Sequence, residues 1–209
     1  MSGMDIFNPL KGLCRGVEAD ILNHLIHHPS FQSPAEITRA IGRSRNETLK
    51  CLHGLADAGI ITRSKGSGRA YGLFPVNAVG SRLLSFADLP RELAAALSNV
   101  AAEHPHDCLS VTLAPEQWSV QTGLRNLVIA VLPASGDFLP RLRHALMSCS
   151  RERFGADISI LTGDTAKVRH VLRVNDIDTQ RWPLCRSTKG AHRLCGLDLI
   201  EVLGGTGGI

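Results

Sequence analysis

The chain has 209 residues, 44% of them hydrophobic and 20% charged, with a formal net charge of +4. That is enough apolar material for one sizeable core or two small ones, and it excludes a disordered chain. No apolar run is long enough to span a membrane and the N-terminus lacks the basic-then-apolar pattern of a signal peptide, so a cytoplasmic protein with no membrane partner is expected.

Residues 1–14 show no periodicity and are expected to form a flexible arm. A first helix is expected from about Val17 to His28. Ile21, Leu22, Leu25 and Ile26 form its apolar stripe, Glu18 and Asp20 sit near its positive end, and Pro29 stops it. His24 and His28 can share a face, and His27 lies beside them. No cysteine or carboxylate stands nearby to complete a metal site, so the three read as polar surface.

Two capped helices follow. Ser33 can cap a helix that begins at Pro34, with Glu36 reaching back to the cap. Ser44 can cap a second helix, to Ala58, with Glu47 in the same reciprocal role. The turn between them, Ala40-Ile41-Gly42-Arg43, places glycine where a helix would stop. Two short helices joined in this way form a helix-turn-helix. Leu49, Leu52, Leu55 and Ala56 mark the inner face of the second helix. Arg45, Asn46, Lys50 and His53 mark its outer face, and Thr48 is added to the set near its N-terminus.

Gly59 ends that helix. Ile60 to Arg63 and Ala70 to Phe74 then read as two short strands around a Gly-rich tip from Ser64 to Arg69, a hairpin. Arg43, Arg45, Lys50, Arg63, Lys65 and Arg69 stand against only Glu47 and Asp57, which is the charge footprint of a nucleic-acid binder. Residues 15–77 resemble the winged helix-turn-helix of bacterial and archaeal transcription regulators. The phrase Leu55-Ala56-Asp57-Ala58-Gly59-Ile60-Ile61 carries that resemblance, at the junction of recognition helix and wing. It implies double-stranded DNA as partner and a homodimer on two half-sites. The DNA-contacting set is then Ser33, Arg43, Ser44, Arg45, Asn46, Thr48, Lys50, His53, Arg63, Lys65, Ser67 and Arg69.

Residues 78–104 read as a linker with connecting helices. Val79, Leu83, Leu84 and Phe86 suit a short one; Leu89, Leu93, Leu97 and Val100 suit a longer one to Glu103, capped by Asp88. After residue 105 the pattern changes. Cys108 to Leu113, Leu127 to Leu132 and Ile158 to Leu161 read as strands, the second one buried on both faces. Phe138 to Phe154 and Thr165 to Val174 read as helices, the latter capped by Asp164. Arg181 to Leu184 and Leu194 to Ile200 close the domain, and residues 204–209 form a flexible tail. The expected fold class is therefore α+β, an N-terminal helical module followed by a small α/β domain with a mixed sheet at 105–203.

The order of elements in that domain resembles the minimal nucleotidyltransferase domain, which uses a Gly-Ser turn and an Asp-x-Asp pair to hold two metal ions. This chain has Ala114-Pro115 and Gly123-Leu124-Arg125-Asn126 at those places, with Asp157 as the one remaining carboxylate. An arginine among the metal positions repels Mg²⁺. The domain is accordingly expected to lack catalysis, metal and cofactor, and to serve dimerisation or the sensing of a small molecule or nucleotide. Two alternatives are kept: a nucleotidyltransferase with a DNA-binding module, and a regulator responding to metal or thiol redox state. For the latter Cys185, His192 and Cys195 form the best thiol–imidazole cluster, among six cysteines expected to be free thiols.

Overall fold

A computed structural model describes residues 4–10, 16–65, 69–104, 107–133, 140–177 and 191–204. The chain divides into two compact units, Asn8–Leu89 and Met1–Phe7 with Pro90–Ile209. Both mix helix with sheet, and the molecule is α+β.

The first unit packs three helices and a hairpin. Helix α1 (Val17–His27) buries Ile21, Leu22, Leu25 and Ile26. Helix α2 (Pro34–Ile41) starts at Ser33, whose hydroxyl accepts the Glu36 N–H while Glu36 accepts from the Ser33 N–H at 2.7 Å. It ends at Gly42, whose φ of +64° is a left-handed conformation that costs glycine little. Helix α3 (Arg45–Asp57) starts at Ser44. The Ser44 hydroxyl accepts the Glu47 N–H, and its own proton goes to the Glu47 carboxylate at 2.8 Å; the backbone half of the expected box is not made. Gly59, at φ +70°, lets the Ile60 N–H close back on the Leu55 carbonyl and turns the chain into the hairpin. Strands β1 (Thr62–Arg63) and β2 (Tyr71–Gly72) are antiparallel and only two residues long. Gln32, just before α2, bridges to Tyr71 on the free side of β2.

Helix α4 (Ala78–Ser85), capped by Asn77, and the 3-10 turn Phe86–Asp88 complete this unit, with Leu83, Leu84 and Phe86 against its core. The expected linker 78–104 is thus divided. Its first part belongs to the helical unit, and helix α5 (Leu89–Glu103) lies, from Pro90 on, in the second. Asp88 sits in the 3-10 turn that leads into α5.

The second unit is a four-stranded sheet between two helical layers. Its strands are β3 (Ser110–Leu113), β4 (Leu127–Leu132), β5 (Ser159–Asp164) and β6 (His192–Gly196), in the order β5-β4-β3-β6. β3 runs antiparallel to β4 and β6, and β4 runs parallel to β5. All six residues of β4 are buried, as a central strand covered on both faces requires. Val128 and Ala130 face Leu93 and Leu97 of α5 and Leu142 and Leu146 of α7 (Pro140–Phe154). Leu127, Ile129 and Val131 face Trp118 of α6 (Glu116–Thr122), Val168 and Leu172 of α8 (Thr165–Val174) and Leu199 of α9 (Leu199–Gly204).

Three sequence expectations change here, and some others fall outside the described residues. Helix α6 was not expected. Leu199 and Ile200 begin a helix and do not continue β6. Phe138, Leu139 and Arg181 to Leu184 lie outside the described residues, as do 205–209. Residues 4–7 are not a loose arm: Ile6 and Phe7 are fully buried in the second unit's core. The buried Asn126 holds them. Its amide oxygen accepts the Ile6 N–H at 3.1 Å, and its NH₂ donates to the carbonyls of Met4 at 3.0 Å and Asp157 at 2.8 Å.

Candidate nucleic-acid interface

Helix α3 sets the geometry of the basic surface. Its inward residues are Thr48, Leu52 and Leu55, spaced i, i+4, i+7 and packed on α1 and α2. The opposite stripe is Asn46, Lys50, His53 and Asp57, all exposed. Thr48 is therefore removed from the expected outer set. It is 0% exposed, and its hydroxyl donates to the Ser44 carbonyl at 2.8 Å. A threonine can take this inner place because the backbone carbonyl four residues earlier absorbs its proton. Leu49, expected inward, is half-buried beside it.

Arg45 opens α3 and is exposed, on the flank between the two stripes. Arg43, in the turn before α3, is not an isolated cation. Its Nε and Nη2 both donate to Oδ2 of Asp20 on α1, at 2.8 and 2.7 Å. The pair pins the turn to α1 and offsets the charge of Arg43. Ser33 and Ser44 have their hydroxyls committed to Glu36 and Glu47, so both act as helix caps. Glu36 is held below the usual carboxylate range by the Ser33 hydroxyl and then the Ser33 N–H.

The hairpin contributes further cations. Arg63, Lys65 and Arg69 are exposed, and Ser64 holds the strand ends together through Ala70. Ser67 lies outside the described residues. The His53 ring lies 6.2 Å from that of Tyr71 on β2, so the outer stripe of α3 adjoins the hairpin. Sequence reasoning placed these residue types together but missed two features. One is Asp20 as the partner of Arg43, 23 residues away. The other is a hollow of about 460 Å³ on the α1-side flank of α3, bordered by Glu18, Glu47, Lys50, Cys51 and Gly54. There the Cys51 thiol donates to Glu18 at 3.1 Å. Burial and that carboxylate push the thiol up to about 11, so it is a protonated donor at neutral pH.

The other candidate centres resolve differently. His24 bonds the Gln32 side chain at 2.8 Å and lies 4.8 Å, ring to ring, from His28. Cys195 is half-buried on β6 against the core, and burial raises its thiol; Cys185 lies outside the described residues. In the second unit Asn126 has its amide fully engaged with backbone, Arg125 is exposed, and both Nε and Nη2 of Arg151 bond Oδ1 of Asp157, at 3.0 and 2.8 Å. A pair of divalent ions needs several free carboxylates, but Asp157 is already paired with a cation, and among the described residues no group of three or more histidine, cysteine or carboxylate side chains is placed to hold a metal. No protein-family model matches the chain, and neither a curated protein nor a solved structure is similar to it.

Proposed function

We propose that the unit Asn8–Leu89 is a winged helix-turn-helix that binds specific sites in duplex DNA, and that the protein is a transcription regulator, a repressor, acting as a dimer. The observation that carries this reading is the outer stripe of α3. Asn46, Lys50 and His53 stand exposed in one row, and Arg45, Arg63, Lys65 and Arg69 are exposed on the same unit. An amide and a guanidinium at the first turn of a helix suit base edges in the major groove, and the hairpin cations suit flanking phosphates.

The second unit, in this reading, is a scaffold for dimerisation or effector sensing and carries out no nucleotidyl transfer. The engaged Asn126 amide and the Arg151–Asp157 pair support that.

Selection of bound sites from a random duplex library, followed by titration at fixed salt, tests the proposal. Arg45→Ala or Asn46→Ala should weaken binding to the selected site by about 1–3 kcal/mol and relax the preference at one base pair. Lys65→Ala should weaken all sequences alike and flatten the salt dependence. Equal affinity of the wild type for every duplex would remove the reading.

A further inference from the structure

We propose that β5 is a pairing edge for a second copy of this chain, so that two sheets join antiparallel across a two-fold axis into one sheet of eight strands. The inference deepens the dimer reading above and is independent of DNA binding.

β5 is the outer strand of the sheet, and its register with β4 runs unbroken through six pairs, Leu127↔Ser159 to Leu132↔Asp164. The Ser159 N–H donates to the Arg125 carbonyl, so Ser159, Leu161 and Gly163 turn their peptide groups towards β4. Ile160 and Thr162 then turn theirs outwards, where no hydrogen bond is made to them among the described residues.

Proteins blunt such an edge with proline, lysine, an inward charge or a bulge. The run Ser159-Ile160-Leu161-Thr162-Gly163 has none of these. The opposite edge does: β6 meets β3 through a bulge at Val111/Thr112, and the Ser98 hydroxyl takes up the Leu194 carbonyl. Among the described residues one edge is left open and the other is interrupted.

A second copy fits the open edge by symmetry. With the axis at Leu161, Ile160 of one copy lies opposite Thr162 of the other, and the same pair repeats on the far side. Each pair exchanges two hydrogen bonds, so all four outward N–H and C=O sets are satisfied. Ser159 meets Gly163, and Leu161 meets its own copy in an apolar contact. No charge opposes a like charge within these five residues, the condition that self-pairing must meet.

Thr162→Pro removes an outward N–H while leaving the bonds to β4 intact, and Thr162→Lys adds an edge charge with the backbone unchanged. Sedimentation across a concentration series gives the mass of each species. Amide exchange reads Ile160 and Thr162 directly. The expected result is a wild-type dimer in which these two amides exchange at least 10-fold more slowly than in the diluted monomer, and folded monomers for both variants. If Thr162→Pro does not fold, Thr162→Lys and the wild-type exchange decide. A wild-type dimer with unprotected Ile160 and Thr162 amides, or a dimeric Thr162→Lys, overturns the edge and leaves the dimer reading standing. A wild-type monomer at every concentration overturns both.

Discussion

Thr48 and Asn46 sit two residues apart on α3 and have opposite fates. Asn46 is exposed on the outer stripe, whereas Thr48 is sealed into the core with its hydroxyl returned to the Ser44 carbonyl. Thr48→Val should leave DNA affinity unaltered and change stability by no more than about 1 kcal/mol, because one local hydrogen bond is exchanged for an apolar contact. Thr48→Lys should unfold the unit, since an unpaired charge cannot be buried there. Titration calorimetry on DNA and chemical denaturation separate the two effects; loss of DNA affinity in a fully stable Thr48→Val would return Thr48 to the interface. Glu36 carries a second residue-scale prediction. Hydrogen bonds from Ser33 hold its folded pKa below the unfolded value, so its contribution is full above about pH 4.3 and is lost as pH falls through the folded pKa. Glu36→Gln should therefore destabilise the unit at neutral pH and approach the wild type as pH falls through the folded pKa of Glu36, as denaturation midpoints across an acid pH series will show.

At the scale of elements, the signals that were legible in sequence were local ones. Ser33-Pro34 with Glu36, Gly42, Gly59 and Asp164 mark helix ends through contacts within a few residues, and the structure places helix ends at each of them. The run Leu127 to Leu132 announced a central strand because six buried residues need no alternation. Helix α6 gave no such signal. It is seven residues long, buries only Trp118 and takes its start from Pro115 without a side-chain cap. Leu194 to Ile200 reads as one closing segment because Leu197, Leu199 and Ile200 continue the apolar run past Gly196, where the strand ends. Of the candidate interface, the exposed cations could be named from sequence. The Asp20–Arg43 pair could not, because it joins two helices through side chains far apart in the chain.

At the scale of the molecule, the helical unit is an insertion. Phe7 before it and Pro90 after it both belong to the α/β unit. Ile6 and Phe7 supply the anchor, and Asn126 reads the backbone of Met4 and Ile6 much as a neighbouring strand would. Its φ of +43° suits asparagine better than most residues. Asn126→Ala should cost the α/β unit roughly 2–4 kcal/mol, since a buried N–H and two carbonyls lose their partner. Asn126→Gly, which tolerates the positive φ, should lose nearly as much if the hydrogen bonds dominate. Faster amide exchange at Ile6 in both variants, with helix α3 unaffected, is the expected signature; unchanged exchange would show that Ile6 and Phe7 hold the segment without the amide.

Electrostatics alone would give a basic unit some affinity for any polyanion, so binding by itself is a weak test. The decisive measurement is the affinity of the protein for its selected duplex and for scrambled duplex of the same length, across a salt series, for the wild type and Asn46→Ala. The account predicts that the wild type prefers the selected duplex by 10³-fold or more at physiological salt, on the order found for specific DNA binders, and that Asn46→Ala loses about 1–3 kcal/mol on the selected duplex while the salt slope stays the same. Equal affinity for both duplexes, or an Asn46→Ala variant that reads the selected site as well as the wild type does, would contradict it.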